Sequence, residues 1–235
     1  MDLKDFIITE NGVLSDELCD AIIKKFDSDD RVLPGKTGAG IDLQTKISDD
    51  LMISGYPDWG DLDKQVFDAI QKPLDDYYSK YEGSVGIKMR DYHDTGYQVQ
   101  RTKEGGFYDW HTDDVTVVSS STITRSEEDR YYGTYSRRMI TFIVYLNDDF
   151  RGGNTAFNVD NNIKKPYKIK PQKGSILMFP SNTSYLHTGL PVKSGVKYIL
   201  TGWMWDRYRG GLLHPNMETG NLDNLIPKTD VRIIR

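Results

Sequence analysis

Apolar residues recur at helical spacing near the start of the chain. Leu18, Ala21, Ile22, Ile23 and Phe26 predict one stripe of an amphipathic helix. Ser15 stands where an N-cap accepts from first-turn amides, and Asp16 and Glu17 suit the positive end of the helix dipole. Residues 31–55 mix polar residues and glycine without a period, which predicts short strands and loops. A second helical stripe runs from about Leu62 to Tyr81 through Val66, Ile70, Leu74 and Tyr78. Pro73 lies within it, lacks an amide hydrogen, and predicts a kink or a split. From Gly86 onward the pattern changes. Residues 97–101, 107–113, 139–147, 155–158, 175–180 and 198–205 are short runs rich in β-branched and aromatic residues, bounded by Gly, Asn, Asp or Pro. Helices first and many strands after predict a mainly β protein with N-terminal helices (α+β), built on an antiparallel double-sheet core of the double-stranded β-helix (jelly-roll) kind.

This pattern suggests one compact domain in three stretches. Residues 1–95 supply helices and supporting strands, 96–206 the β core, and 207–235 a polar C-terminal extension. Residues 119–137 are polar and long for a strand connection. They read as an inserted loop, equally a lid beside a site or a solvated excursion.

Composition narrows the setting. The chain has 235 residues, 37% hydrophobic and 28% charged, as expected of a soluble globular protein. Its single cysteine, Cys19, excludes an internal disulfide and points to a reducing, cytoplasmic setting. Residues 1–5 lack the basic and apolar segments of a secretory signal. The longest nearly apolar run, residues 139–146, is strand-sized, so no membrane partner is expected. A net charge of −5 argues against nucleic acid as the main partner.

Candidate chemistry concentrates in Gly105-Gly106-Phe107-Tyr108-Asp109-Trp110-His111-Thr112-Asp113-Asp114. In a strand, residues two apart share a face, so His111 and Asp113 are expected to converge on one metal while Thr112 points away. One more histidine would complete a 2-His-1-carboxylate triad, which holds Fe(II) on one side and leaves the other open. The chain offers His93, His187 and His214. His93 lies in a polar segment and His214 in the loop-like tail, where surface positions are the commoner outcome. His187 follows a buried strand and a polar turn, and is the histidine a closing strand can bring opposite His111. Beyond it, Lys197, Ile199, Thr201, Trp203 and Trp205 share one face of a strand. A lysine leading an apolar face is costly to bury unless an anion meets it. An isolated lysine here would more often be an exposed strand end, but beside an open iron face it is the charge needed to hold the remote carboxylate of a 2-oxo acid.

From about Tyr97 to Trp205 the chain resembles the prolyl 4-hydroxylase branch of the 2-oxoglutarate/Fe(II) dioxygenases. The matching blocks are residues 105–113, Arg138-Met139-Ile140-Thr141-Phe142-Ile143-Val144-Tyr145-Leu146-Asn147, Gly152-Gly153-Asn154-Thr155-Ala156-Phe157, residues 173–181, and His187 through Lys197 to Trp203. Residues 13–19 are similar to the helix that opens such domains. The resemblance implies His111, Asp113 and His187 as iron ligands and catalytic centre, and Lys197 as partner of the 2-oxoglutarate C5 carboxylate. It implies that Tyr108 and Arg138 contact substrate and that Trp203 lines the site. Where the family usually has a tyrosine that hydrogen-bonds 2-oxoglutarate, this chain has Thr102, with water, Thr201 or Tyr97 as candidate substitutes. Related halogenases lack the carboxylate, so Asp113 favours hydroxylation. The implied reaction consumes 2-oxoglutarate and O2, with ascorbate as a supporting reductant, releases succinate and CO2, and hydroxylates an unactivated C–H bond. Peptidyl proline is the leading substrate expectation, with a free amino acid or small metabolite as the alternative. From other classes, a non-catalytic jelly-roll binding module predicts a broken triad, and a metalloenzyme using no 2-oxo acid leaves Lys197 without a role.

Overall fold

The computed structural model describes residues 2–38, 40–85, 92–125 and 128–211, except for the side chains of residues 84, 85, 117–125, 128–136 and 207–211. Two helices come early: α1 (Asp16–Asp27) and α2 (Gly60–Val85). The strands are β1 (Ile8–Glu10), β2 (Leu33–Pro34), β3 (Asp49–Met52), β4 (Tyr92–Asp94) and β5 (Gln98–Thr102), then β6 (Tyr108–His111), β7 (Thr116–Arg125) and β8 (Glu128–Tyr145). They continue as β9 (Arg151–Gly152), β10 (Thr155–Phe157), β11 (Tyr167–Ile169), β12 (Ile176–Pro180), β13 (His187–Gly189), β14 (Val192–Ser194) and β15 (Lys197–Gly211).

Both predicted helices form. Ser15 caps α1 by accepting from the Leu18 amide. The buried stripe of α1 is Cys19, Ile22 and Phe26, while Ala21 faces solvent. Helix α2 is neither split nor interrupted at Pro73. Proline forfeits only its own bond to the carbonyl four residues back. Val66, Ile70, Leu74, Tyr77 and Tyr78, all buried on one core, hold the turns on both sides of it.

The strands form a nine-stranded sheet ordered β1-β12-β8-β15-β5-β3-β2, with β4 on β15 and β7 on β8. A four-stranded sheet ordered β11-β10-β13-β6 accompanies it. The described pairings are antiparallel, and N-terminal strands β1 to β4 join the same large sheet as the later ones.

Side-chain alternation divides the large sheet into two working faces. Ile140, Phe142 and Val144 of β8, Tyr198, Leu200 and Met204 of β15, and Ile176 and Met178 of β12 pack on the α1 and α2 stripes. Burying an aliphatic or aromatic side chain of this size contributes roughly 1.5–3 kcal/mol. The intervening residues Ile143, Tyr145, Leu177, Phe179 and Ile199 join Phe157 of the small sheet in a second core. The large sheet is therefore sealed by helices on one face and by the small sheet on the other.

Two expectations need correcting. The inserted loop at 119–137 is a β-hairpin: β7 pairs with β8 from Thr116↔Arg137 to Arg125↔Glu128. The supposed C-terminal extension begins as strand, since β15 continues to Gly211 paired with Tyr132. The sequence there is polar yet rich in Thr, Tyr and Val, residue types that favour strands. Residues 212–235, including His214, lie outside the described residues.

Candidate metal and oxo-acid site

Strand β6 brings in His111 and β13 brings in His187, at directly paired positions of the small sheet. Their rings lie 4.2 Å apart between centroids. Asp113 arrives differently from expectation. Strand β6 ends at His111, so Asp113 stands on irregular chain just beyond it and shares no strand face with the histidine. Its carboxylate nonetheless reaches both rings, with Oδ1 4.0 Å from His111 Nε2 and Oδ2 3.6 Å from His187 Nε2. One ligand atom from each of the three residues lies within 4.8 Å of the others.

The tautomers follow from the hydrogen bonds. Nδ1 of His111 is 2.7 Å from the Asp109 carbonyl, and Nδ1 of His187 is 2.9 Å from the Tyr185 carbonyl. A carbonyl only accepts, so each Nδ1 carries a proton, and in the neutral ring Nε2 is left to turn its lone pair toward Asp113. Burial, and then the neighbouring His187, push the His111 pKa below its ordinary value, which keeps the ring neutral. Burial works to raise the Asp113 pKa, but the positive charge that His187 and His111 bring when protonated, with a hydrogen bond from the Thr141 hydroxyl, outweighs it and pulls the group below its ordinary value. Two imidazoles and one carboxylate make a donor set suited to a divalent transition metal.

The three ligand candidates line a cavity that opens to solvent. Its other wall is the inner face of the large sheet: Gln100 and Thr102 of β5, Thr141 and Ile143 of β8, and Lys197, Ile199, Thr201 and Trp203 of β15. Cross-strand pairing sets these opposite one another, Lys197 to Thr102, Ile199 to Gln100 and Trp203 to Thr141. The predicted sharing of a face by Lys197, Thr201 and Trp203 therefore holds.

Lys197 is 5% exposed. Its Nζ donates to the Gly153 carbonyl at 2.6 Å and lies 5.6 Å from the Tyr145 ring centroid. Among the described residues no carboxylate lies within ion-pair distance, and burial pushes its pKa down to about 8. Gly153 takes φ +63°, and a Cβ there would stand 2.8 Å from the Phe150 ring and 3.2 Å from Lys197 Cδ. The glycine thus brings a bare carbonyl up to the ammonium. The Tyr145 hydroxyl pairs with Thr155 at 2.7 Å, and Thr155 lines the same cavity.

Of the substitutes considered for the missing tyrosine, Tyr97 is excluded. Its ring packs in the helix-side core, edge-on to Phe142, and its hydroxyl donates to Asp94. Thr102 and Thr201 both line the cavity, with the Thr201 hydroxyl donating to the Phe142 carbonyl.

A β-bulge explains how Arg138 comes to this face. Met204 pairs with Ile140 but Trp205 pairs with Arg138, leaving Met139 without a partner. By simple alternation Arg138 would join Ile140 and Phe142 on the helix side. The bulge turns it over, and its guanidinium lies 3.8 Å from the Trp203 ring centroid and 5.3 Å from that of Trp205. Arg138 Nε and Trp203 Nε1 are both buried without a hydrogen-bond partner. Tyr108 stacks on His111 at 3.6 Å between centroids. Lys46 Nζ lies 5.0 Å from the Tyr108 centroid and is paired in a buried position with Asp50 at 2.6 Å. His93 lies on β4 opposite Trp205, apart from the three-residue cluster.

Sequence reasoning missed Thr141, Ser181, Tyr145, Thr155, Gln100 and the Lys46–Asp50 pair. The alternation that exposed Lys197 and Thr201, applied to β8, would have singled out Thr141 and Tyr145. Nothing local distinguishes Lys46 from any other loop lysine.

Comparison with known proteins agrees with this geometry. Residues 97–205 match the family model of the 2OG-Fe(II) oxygenase superfamily. A PKHD-type hydroxylase of Synechococcus sp. (strain CC9902) is 27% identical over 108 residues, covering 45% of this chain and 39% of that protein. Prolyl 4-hydroxylase 1 of Arabidopsis thaliana is 26% identical over 220 residues, covering 84% of this chain and 68% of that protein. The chain spans about two fifths of the length of the PKHD-type relatives it matches. Among solved structures, the viral collagen prolyl hydroxylase of Paramecium bursaria Chlorella virus-1 in its 2OG complex is similar with a TM-score of 0.55 and 24% identity, covering 85% of this chain and 96% of that one. A Trichoplax adhaerens prolyl hydroxylase, solved with a hypoxia inducible factor peptide fragment, reaches a TM-score of 0.62 at 18% identity, covering 86% and 84%. These structural likenesses concern the fold. By sequence, the likeness over residues 97–205 is to the 2OG-Fe(II) oxygenase superfamily, and the relatives that share it are PKHD-type hydroxylases and prolyl 4-hydroxylases.

Proposed function

We propose that this protein is an Fe(II)- and 2-oxoglutarate-dependent dioxygenase that hydroxylates an unactivated C–H bond, with peptidyl proline as the first substrate to try. The observation that carries the reading is the sharing of one cavity by two unlike sites. One is the His111, Asp113 and His187 donor set; the other is a buried lysine with no counter-ion among the described residues. The two facing sheets are read as the walls of a double-stranded β-helix.

When bound, iron and 2-oxoglutarate supply the oxidising power, with O2 converting 2-oxoglutarate and R–H into succinate, CO2 and R–OH. The protein's part is to hold and orient. His111 and His187 offer Nε2 lone pairs that their Nδ1–H bonds to carbonyls keep aimed, and Asp113 adds the charge that suits a divalent ion. Lys197 receives the far carboxylate of the co-substrate, exchanging a single carbonyl contact for an ion pair. Thr102, Thr201 and Thr155 supply hydroxyls along the same wall.

Arg138 and Trp203 face the substrate, each with a buried N–H that wants an acceptor such as a peptide carbonyl. Tyr108, stacked on His111, forms the neighbouring wall. The peptide found with the Trichoplax adhaerens enzyme supports a peptide as the substrate class. The direct test supplies Fe(II), 2-oxoglutarate and O2 and measures succinate while screening prolyl peptides and free amino acids for a mass gain of one oxygen. Succinate should form, and Asp113→Ala should abolish it. Equal succinate from Asp113→Ala would mean that the ligands are misassigned.

A further inference from the structure

Asp113 is the least anchored of the three candidate ligands. The two histidines sit on paired strands, whereas Asp113 follows the end of β6 and has no ladder to fix it. Its carboxylate is instead held from the opposite sheet. The Thr141 hydroxyl of β8 donates to Asp113 Oδ2 at 2.9 Å and lies 2.9 Å from the hydroxyl of Ser181, just past the end of β12. Thr141 and Ser181 are each 1% exposed. The direction of the chain is fixed by chemistry. An ionised carboxylate only accepts, so Thr141 spends its one proton on Asp113 and must accept from Ser181. Ser181 is fixed in turn, because its amide donates to the carbonyl of Met139, the bulge residue of β8.

We infer that Ser181 and Thr141 form a buried hydroxyl relay that sets the rotation of the Asp113 carboxylate, making Thr141 a positioning residue for the metal ligand set. The inference rests on the proposed function, since it assumes that a metal is the ligand. Thr141 takes one lone pair of Oδ2 and restrains the carboxylate plane, while His111 Nε2 lies 4.0 Å from Oδ1 and His187 Nε2 3.6 Å from Oδ2. Because donors in series polarise one another, Ser181 strengthens the bond that Thr141 makes. The relay also ties the ligand to the bulge that presents Arg138, so ligand orientation and substrate wall share one piece of β8.

The test reads metal binding without turnover. The full chain, stripped by a chelator, is titrated with Mn(II) followed by electron paramagnetic resonance and with Co(II) followed by its visible d–d bands. Thr141→Val keeps the shape and removes the donor. It should weaken Mn(II) binding about tenfold or more and alter the Co(II) bands, whereas Thr141→Ser should stay within about twofold of the parent. Ser181→Ala should fall between, with a loss of about threefold. Parent-like Mn(II) binding and Co(II) bands in Thr141→Val would overturn the relay. So would equal impairment in Thr141→Ser and Thr141→Val, which would indicate packing rather than the hydroxyl. Should Thr141→Val fail to fold, as judged by circular dichroism, Ser181→Ala decides alone, and unchanged binding there rejects the relay. A parent that binds neither metal brings down the functional reading and the relay together. A parent that binds, beside an indifferent Thr141→Val, brings down the relay only.

Discussion

The ammonium of Lys197 rests 2.6 Å from the carbonyl of Gly153, 5% exposed, with no carboxylate among the described residues to meet it. A buried charge left in this state is costly. The fold accepts that cost at one end of the cavity whose other end carries the three ligand candidates. Removing the charge should therefore help the empty protein. The fall in pKa from 10.5 to about 8 corresponds to up to about 3 kcal/mol of unfavourable burial at neutral pH. Lys197→Met should raise the melting temperature of the ligand-free protein while abolishing the further rise that 2-oxoglutarate gives the parent. A variant that melts lower, or still responds to 2-oxoglutarate, would separate the lysine from that role.

The same lysine sets a pH dependence. Its folded pKa lies below its unfolded one, so the folded state favours the neutral amine. This lysine's contribution to stability is fully present above pH 10.5 and is lost as pH falls through about 8. Co-substrate binding runs the other way, because the carboxylate needs the ammonium. The apparent dissociation constant for 2-oxoglutarate should climb above pH 8, by about tenfold per pH unit at the limit. Lys197→Arg, which stays charged, should flatten the climb. Isothermal titration across pH 7 to 9.5 checks both curves.

Arg138 and Trp203 are assigned to substrate and not to 2-oxoglutarate. Arg138→Lys removes the Nε donor, and Trp203→Phe removes the indole N–H and narrows the ring under the guanidinium. Each should raise the substrate concentration needed for half-maximal turnover by roughly tenfold, as expected for loss of one buried hydrogen bond. The 2-oxoglutarate requirement should hold steady. A change confined to 2-oxoglutarate would reverse the assignment.

Gly153 is predicted to resist substitution. A side chain there meets left-handed backbone at φ +63° together with contacts of 2.8 Å to Phe150 and 3.2 Å to Lys197. Gly153→Ala should cost about 1–3 kcal/mol in urea unfolding and weaken 2-oxoglutarate binding by displacing Lys197. Unchanged stability would mean that the turn relaxes freely.

Residue types and spacing carried much of this site, though not always for the reason first given. His111 and His187 pair across strands as expected. Asp113 reaches them from beyond the strand, aimed by Thr141 rather than by alternation. The parity of β15 was readable because its pattern is regular. Parity alone would have misplaced Arg138, which only the resemblance brought to the site, because a bulge at Met139 reverses its face and leaves no mark in a run of apolar residues. Pro73 does not split α2, because tertiary packing outweighs one missing hydrogen bond. The hairpin at 116–137 was hidden by its polar composition, which gives no one-sided alternation to read.

The central claim is that one cavity holds a metal at His111, Asp113 and His187 and an oxo acid chelated beside it. Anaerobic titration of the intact chain with Fe(II) and then 2-oxoglutarate tests it most directly. The account predicts a weak visible charge-transfer band that saturates at one equivalent per chain and is missing in His187→Ala. Well-folded parent protein that develops no such band, or a His187→Ala variant that develops it undiminished, would contradict the account.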